Sequence, residues 1–224
     1  MNVEVKGTPL PVAICYLSSG ESIVTEKGAM SWMSPNLEMQ TSGGGIGKMF
    51  SRALQGEAMF QNIYTAMGGD GMIAMGSSFP GDIMVIDVAQ GAVIAQKSAF
   101  LASESTVKQE LHFKKKLGAG LFGGEGFIMQ KFSGTGKVIL EIDGSVMMYE
   151  LAAGQSMLVD TGCLALMDAS VTMEIETVKG LGNKLLGGEG FFNTRVTGPG
   201  KVWLQTMPAS NLASIVASYV PSSN

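Results

Sequence analysis

Leu121-Phe-Gly-Gly-Glu-Gly-Phe127 is followed by Gly134-Thr-Gly-Lys-Val-Ile-Leu140, and the chain repeats the pair. The second copy is Leu185-Leu-Gly-Gly-Glu-Gly-Phe191 with Gly198-Pro-Gly-Lys-Val-Trp-Leu204. A degenerate copy precedes both: Leu54-Gln-Gly-Glu-Ala-Met-Phe60, then Gly69-Asp-Gly-Met-Ile-Ala-Met75. A second phrase recurs between these motifs. It begins as Leu17-Ser-Ser-Gly-Glu-Ser-Ile-Val24, returns as Val88-Ala-Gln-Gly-Ala-Val-Ile-Ala95, and returns again as Leu151-Ala-Ala-Gly-Gln-Ser-Met-Leu158. From each phrase to the glutamate of its glycine motif the interval is 40 (17 to 57), 37 (88 to 125) or 38 residues (151 to 189). Two independent phrases in one order and at nearly the same spacing indicate a tandem triplication.

Each unit reads as short strands. Apolar runs precede the phrases at Val12–Tyr16, Ile83–Asp87 and Val146–Glu150. Period-2 alternation, which buries one strand face and wets the other, follows them. Val171, Met173 and Ile175 alternate with Thr172, Glu174 and Glu176, and Val107, Leu111 and Phe113 share a face opposite Lys108, Glu110 and His112. Leu37 and Met39 alternate with Glu38 and Gln40. Short strands punctuated by glycine predict an all-β solenoid, barrel or prism. We expect one all-β domain over residues 1–210 made of three repeats (about 3–78, 79–142 and 143–206), with a short C-terminal helix over 211–220. Leu212, Ile215, Val216 and Tyr219 would form the stripe docking that helix on the β core, with Ser210 or Asn211 as its cap. One or two helical turns are also expected over 46–54.

Composition limits the function classes. Of 224 residues, 46% are hydrophobic and only 15% charged, and the formal net charge of −4 leaves no broad basic face for non-specific nucleic-acid binding. Cys15 and Cys163 are the two cysteines, and reduced thiols in a cytoplasmic protein are expected. The N-terminus shows no basic and apolar signal segment, and no apolar run approaches a membrane span.

Several stretches invite a chemical reading. Gly118-Ala-Gly-Leu-Phe-Gly123 has G-x-G-x-x-G spacing but lacks the strand-before, helix-after context of dinucleotide binding. Lys48, Lys114 to Lys116 and Lys184 flank the glycine segments at unequal offsets, as expected of a solvated edge. His112, the single histidine, cannot build a multi-histidine zinc site. The candidate binding residues are Glu57, Gly124, Glu125, Gly126, Gly188, Glu189 and Gly190. Three carboxylates in register could converge on a cation. The simpler role is structural, each glutamate accepting hydrogen bonds from its own glycine-rich turn.

Aligned together, these features resemble the AIM24 family. They are Gly20-Glu-Ser-Ile-Val24 with Gly28-Ala-Met30, Phe79-Pro-Gly-Asp-Ile83, Leu121-Phe-Gly-Gly-Glu-Gly126, Val159-Asp-Thr-Gly162, and Leu186-Gly-Gly-Glu-Gly190 with Gly198-Pro-Gly-Lys-Val-Trp-Leu-Gln-Thr206. The resemblance implies a fold: three repeats of the double-stranded β-helix type, in a pseudo-threefold arrangement like subunits of the tryptophan-RNA-binding attenuation protein ring (TRAP-like). It implies no activity. The expectation is therefore a non-enzymatic scaffold or interaction protein with no catalytic residue, metal or cofactor. Its partners would be further copies of itself or another protein, and its location the cytoplasm. The alternative is a small-ligand- or RNA-binding β ring. An enzyme using the repeated glutamates ranks below both.

Overall fold

The computed structural model describes residues 1–42, 61–116, 126–177 and 192–219. The chain is predominantly β. An N-terminal strand, β1 (Asn2–Lys6), precedes three six-stranded segments. The first holds β2 (Val12–Leu17), β3 (Ser22–Glu26), β4 (Met30–Met33), β5 (Leu37–Ser42), β6 (Gln61–Ala66) and β7 (Gly71–Gly76). The second holds β8 (Gly81–Asp87), β9 (Val93–Gln96), β10 (Phe100–Glu104), β11 (Val107–Lys115), β12 (Phe127–Gly134) and β13 (Lys137–Asp143). The third holds β14 (Val146–Leu151), β15 (Ser156–Asp160), β16 (Leu164–Asp168), β17 (Thr172–Thr177), β18 (Phe192–Thr197) and β19 (Gly200–Gln205), and helix α1 (Ala209–Tyr219) follows.

Within every segment the pairing scheme is the same and antiparallel. The first strand pairs with the last (β2 with β7, β8 with β13, β14 with β19), and the last also pairs with the third. The second pairs with the fifth, which also pairs with the fourth. Each third strand bulges at one place: between Met30 and Trp32, Phe100 and Ala102, and Leu164 and Leu166. A bulge twists and bends its strand, so three at one position give the segments one shape. The phrase heads Leu17, Val88 and Leu151 are all buried, each anchoring the turn out of its first strand.

Segments join through their sheets. β3 of the first pairs with β10 of the second, and β9 of the second with β16 of the third. Two six-stranded sheets result, ordered β5-β6-β3-β10-β13-β8 and β11-β12-β9-β16-β19-β14. Half-sheets remain at either end, β1-β2-β7-β4 and β15-β18-β17. Three cores lie between successive sheets, and the central strands feed the cores on both sides. Leu101, Ala102 and Ile139 enter the first core, while Phe100, Val138, Leu140 and Ile142 of the same sheet enter the second. This two-sided burial explains why β9, β10, β13 and β16 read as continuous apolar runs.

Four sequence expectations change. Leu37 is buried but Met39 is half exposed, because β5 is a sheet edge and the core ends before Met39. His112 falls at a register shift in the β11–β12 pairing, which breaks the alternation and leaves Leu111 half exposed. The helix starts at 209 and its first turn is capped from afar: the Asp143 carboxylate accepts a hydrogen bond from the Ala209 N–H at 2.9 Å. Its stripe does not dock as expected, for Leu212 is half-buried while Ile215, Val216 and Tyr219 are exposed. The helical turns expected over 46–54 lie outside the described residues.

Leu166→Ala, in the second core, should cost about 2–5 kcal/mol by cavity formation. Met147→Ala, on the exposed edge strand β14, should fall within about 0.5 kcal/mol of the parent. Urea unfolding followed by circular dichroism checks both.

Candidate functional site

A cleft of about 1000 Å³ opens where the end of β3, the Ser77–Phe79 connection, β13 and the start of α1 meet. Phe79, Phe100, Leu101, Phe127 and Pro208 form the apolar part of its walls. Its polar lining includes Glu26, Lys27 and Lys97, together with four residues of apolar strands: Glu141 inside β13, and Gln96, Asp143 and Gln205 at the ends of β9, β13 and β19.

Gln96, Glu141, Asp143 and Gln205 are each bound to backbone or to a neighbouring loop. Glu141 accepts from the Ser78 N–H at 2.7 Å, the Ser78 Oγ at 2.9 Å and the Ser77 Oγ at 3.2 Å. Gln96 Nε2 donates to the carbonyls of Gly162 (3.1 Å) and Leu164 (2.6 Å), and Gln205 Nε2 donates to Gly162 at 2.8 Å. Gln205 Oε1 in turn accepts from the Asp143 N–H at 3.1 Å. A chain of hydrogen bonds thus runs from the helix through Asp143, Gln205 and Gly162 to Gln96, tying α1 to the second and third segments. Burial raises the Glu141 pKa above its ordinary value, partly offset by the Ser78 hydrogen bonds. Burial likewise raises that of Asp143, against the Ala209 N–H. Chemically, the cleft suits an apolar body with a hydrogen-bonding end.

Of the candidate binding residues, Gly126 alone lies among the described ones, and it borders this cleft at the start of β12. Its φ is +87°, and a Cβ there would lie 2.5 Å from the Lys115 carbonyl oxygen, so both conformation and close approach require glycine. Glu57, Gly124, Glu125, Gly188, Glu189 and Gly190 lie outside the described residues. His112 is exposed and borders no part of the cleft. Cys15 and Cys163 carry free thiols, that of Cys15 pushed up to about 12 by burial. Among the described residues no three His, Cys, Asp or Glu side chains are grouped to hold a metal, and no helix is long and apolar enough to cross a membrane. Sequence reasoning missed Gln96, Glu141 and Gln205. The available signal was a polar residue within or closing an apolar strand, which when buried must be hydrogen-bonded.

Glu141 makes stability depend on pH. With its folded pKa raised, the native state binds more protons than the unfolded state between the ordinary value of 4.5 and the folded value, so stability falls as pH rises through that window. Glutamine mimics the protonated form. Wild-type Tm should therefore fall relative to that of Glu141→Gln as pH climbs from about 4.5, as thermal melts across pH 4–8 would show. Parallel curves would mean that Glu141 ionises freely.

The family described as mitochondrial biogenesis AIM24 matches residues 3–207. An uncharacterised protein of Streptococcus pyogenes serotype M6 is 27% identical over 225 residues, spanning 96% of this chain and 88% of the relative. The X-ray crystal structure of protein SPYM3_0169 from Streptococcus pyogenes superposes with a TM-score of 0.82 at 22% identity, covering 98% of this chain and 99% of that one, a likeness of fold. With the family match running from β1 through β19, this chain belongs to the AIM24 family.

Proposed function

We propose that the chain is a non-enzymatic scaffold or interaction protein of the AIM24 type. Its three segments are then tandem repeats of a TRAP-like double-stranded β-helix unit (about 3–78, 79–142 and 143–206), related by pseudo-threefold arrangement within one domain. The recurring pairing scheme and bulge support this. The observation that carries the functional reading is β14. This strand closes one edge of a six-stranded sheet, and Met147, Met148 and Tyr149 along it are all exposed. Beyond Val146, whose N–H donates to Asp82, an open sheet edge beside exposed apolar side chains on both faces invites a protein partner. Gln96, Glu141, Asp143 and Gln205 of the cleft, by contrast, are engaged in holding strands, loop and helix together. Free thiols fit a reducing compartment, and we place its action in the cytoplasm.

Tagged wild type and Met148→Lys would be incubated in parallel with native lysate, with and without nuclease. Wild type should retain specific proteins whose capture survives nuclease and is lost in the variant. Capture of RNA, or capture indifferent to Met148→Lys, would refute the scaffold reading.

A second reading, a small-ligand-binding β ring by analogy with the tryptophan-RNA-binding attenuation protein, is favoured by the cleft itself. Native mass spectrometry of gently purified protein would then show a small-molecule adduct. Ala213→Trp, which introduces a bulky ring at the helical wall of the cleft, should remove it.

A further inference from the structure

The two complete sheets have one construction. Each takes three strands from the back of one segment and three from the front of the next, joined where the earlier segment's second strand pairs with the later segment's third. The half-sheets at the chain ends are the two halves of that same construction. β15-β18-β17 lacks a third strand to follow β15, and β1-β2-β7-β4 lacks a second strand to precede β4. Among the described residues, β4 and β15 each have one paired side and one open side.

The side chains at these edges fit the same scheme. Trp32 occupies in β4 the position that Ala102 and Leu166 occupy after the bulges of β10 and β16. Ala102 belongs to the first core and Leu166 to the second, so each reaches back into the core of the preceding segment, and both are 0% exposed. Trp32 has no preceding segment and is 48% exposed. On β15, Leu158 is also 48% exposed. Its counterpart on β3 is Val24, identified by a shared mark two residues earlier. Ser22 is hydrogen-bonded to Thr65 and Ser156 to Thr197, each at 2.8 Å between hydroxyls. Val24 pairs with Ser103 of β10, and Ser103 corresponds to Met33 of β4.

We infer that the open edge of β15 pairs antiparallel with the open edge of β4 in a second copy of this chain. The internal junction sets the register: Val159 opposite Trp32, Leu158 opposite Met33, and Met157 opposite Ser34. The composite sheet would run β17-β18-β15-β4-β7-β2-β1, and Trp32 would enter the third core of the neighbouring chain. The contact is head-to-tail, so copies close into a ring or continue as a filament. It uses strands distinct from the β14 edge of the scaffold proposal and stands independently of it.

Light scattering behind size-exclusion chromatography should give a mass several-fold above 23.4 kDa for the wild type. It should return to one chain for Leu158→Lys and for Trp32→Lys, whose side chains are half exposed in the single chain and so leave its folding intact. Register is tested in a Cys163→Ser background, where the remaining thiol, Cys15, is buried. Mixed Met33→Cys and Leu158→Cys chains should form a disulfide dimer under mild oxidation, and neither variant should do so alone. Three results would overturn the inference: a 23.4 kDa wild type at about 100 µM, a multimer that both lysine variants leave intact, or cross-linking of one cysteine variant with itself.

Discussion

A strand buried on both faces tolerates a polar side chain only where a partner is supplied. The pairings β3–β10 and β9–β16 create that condition, because each places a sheet between two cores. Ala102 and Ile139 serve the first core while Phe100 and Leu140 of the same strands serve the second. Neither core belongs to one segment alone. Ile94, Phe127 and Met129 of the second segment likewise complete the third core. Cutting the chain between segments would therefore leave half-built cores, which is why no linker separates them.

How far this could be read from the sequence depended on whether a signal was local. The phrase heads Leu17, Val88 and Leu151 were legible because burial and turn chemistry recur within a few residues. The bulged strands β10 and β16 were not, since Phe100–Glu104 and Leu164–Asp168 carry no alternation when both faces are buried. The cap of α1 was illegible for a different reason. Asp143 and Ala209 are hydrogen-bonded across 66 residues, whereas the expected caps at 210 and 211 are local. Edge strands misled in the opposite direction: Leu37 and Met39 share a strand face, but the core beneath that face extends only to Leu37.

The candidate site shows the same division. Gly126 was legible as a structural glycine because its motif recurs, and its positive φ with the Lys115 carbonyl close by supplies the cause. Glu141 and Gln205 stand at one repeat position, after Gly136-Lys-Val-Ile-Leu and Gly200-Lys-Val-Trp-Leu, but they and Gln96 were overlooked because no one ionisable type recurs there. Their signal is a polar residue inside an apolar strand, as Glu141 is between Leu140 and Ile142, or closing one, as Gln96 and Gln205 do.

That polar floor bears on function through cost. Burying Glu141 and Asp143 raises both pKa values, so the native state bears an electrostatic penalty when they ionise. The compensation visible in the structure is local and structural: Glu141 fastens the Ser77–Ser78 connection between the first two segments, and Asp143 fastens the helix after the third. Gln96 and Gln205 converge on one carbonyl, Gly162, at the entry to β16. Polar groups arranged this way fix the angles between successive segments. In a molecule whose outer sheet edges carry exposed Trp32, Leu158, Met148 and Tyr149, rigid angles between segments are what keep those edges in a defined relative position. A binding surface made of strand edges needs such rigidity, because a pairing register survives only if the strand offering it is held in place.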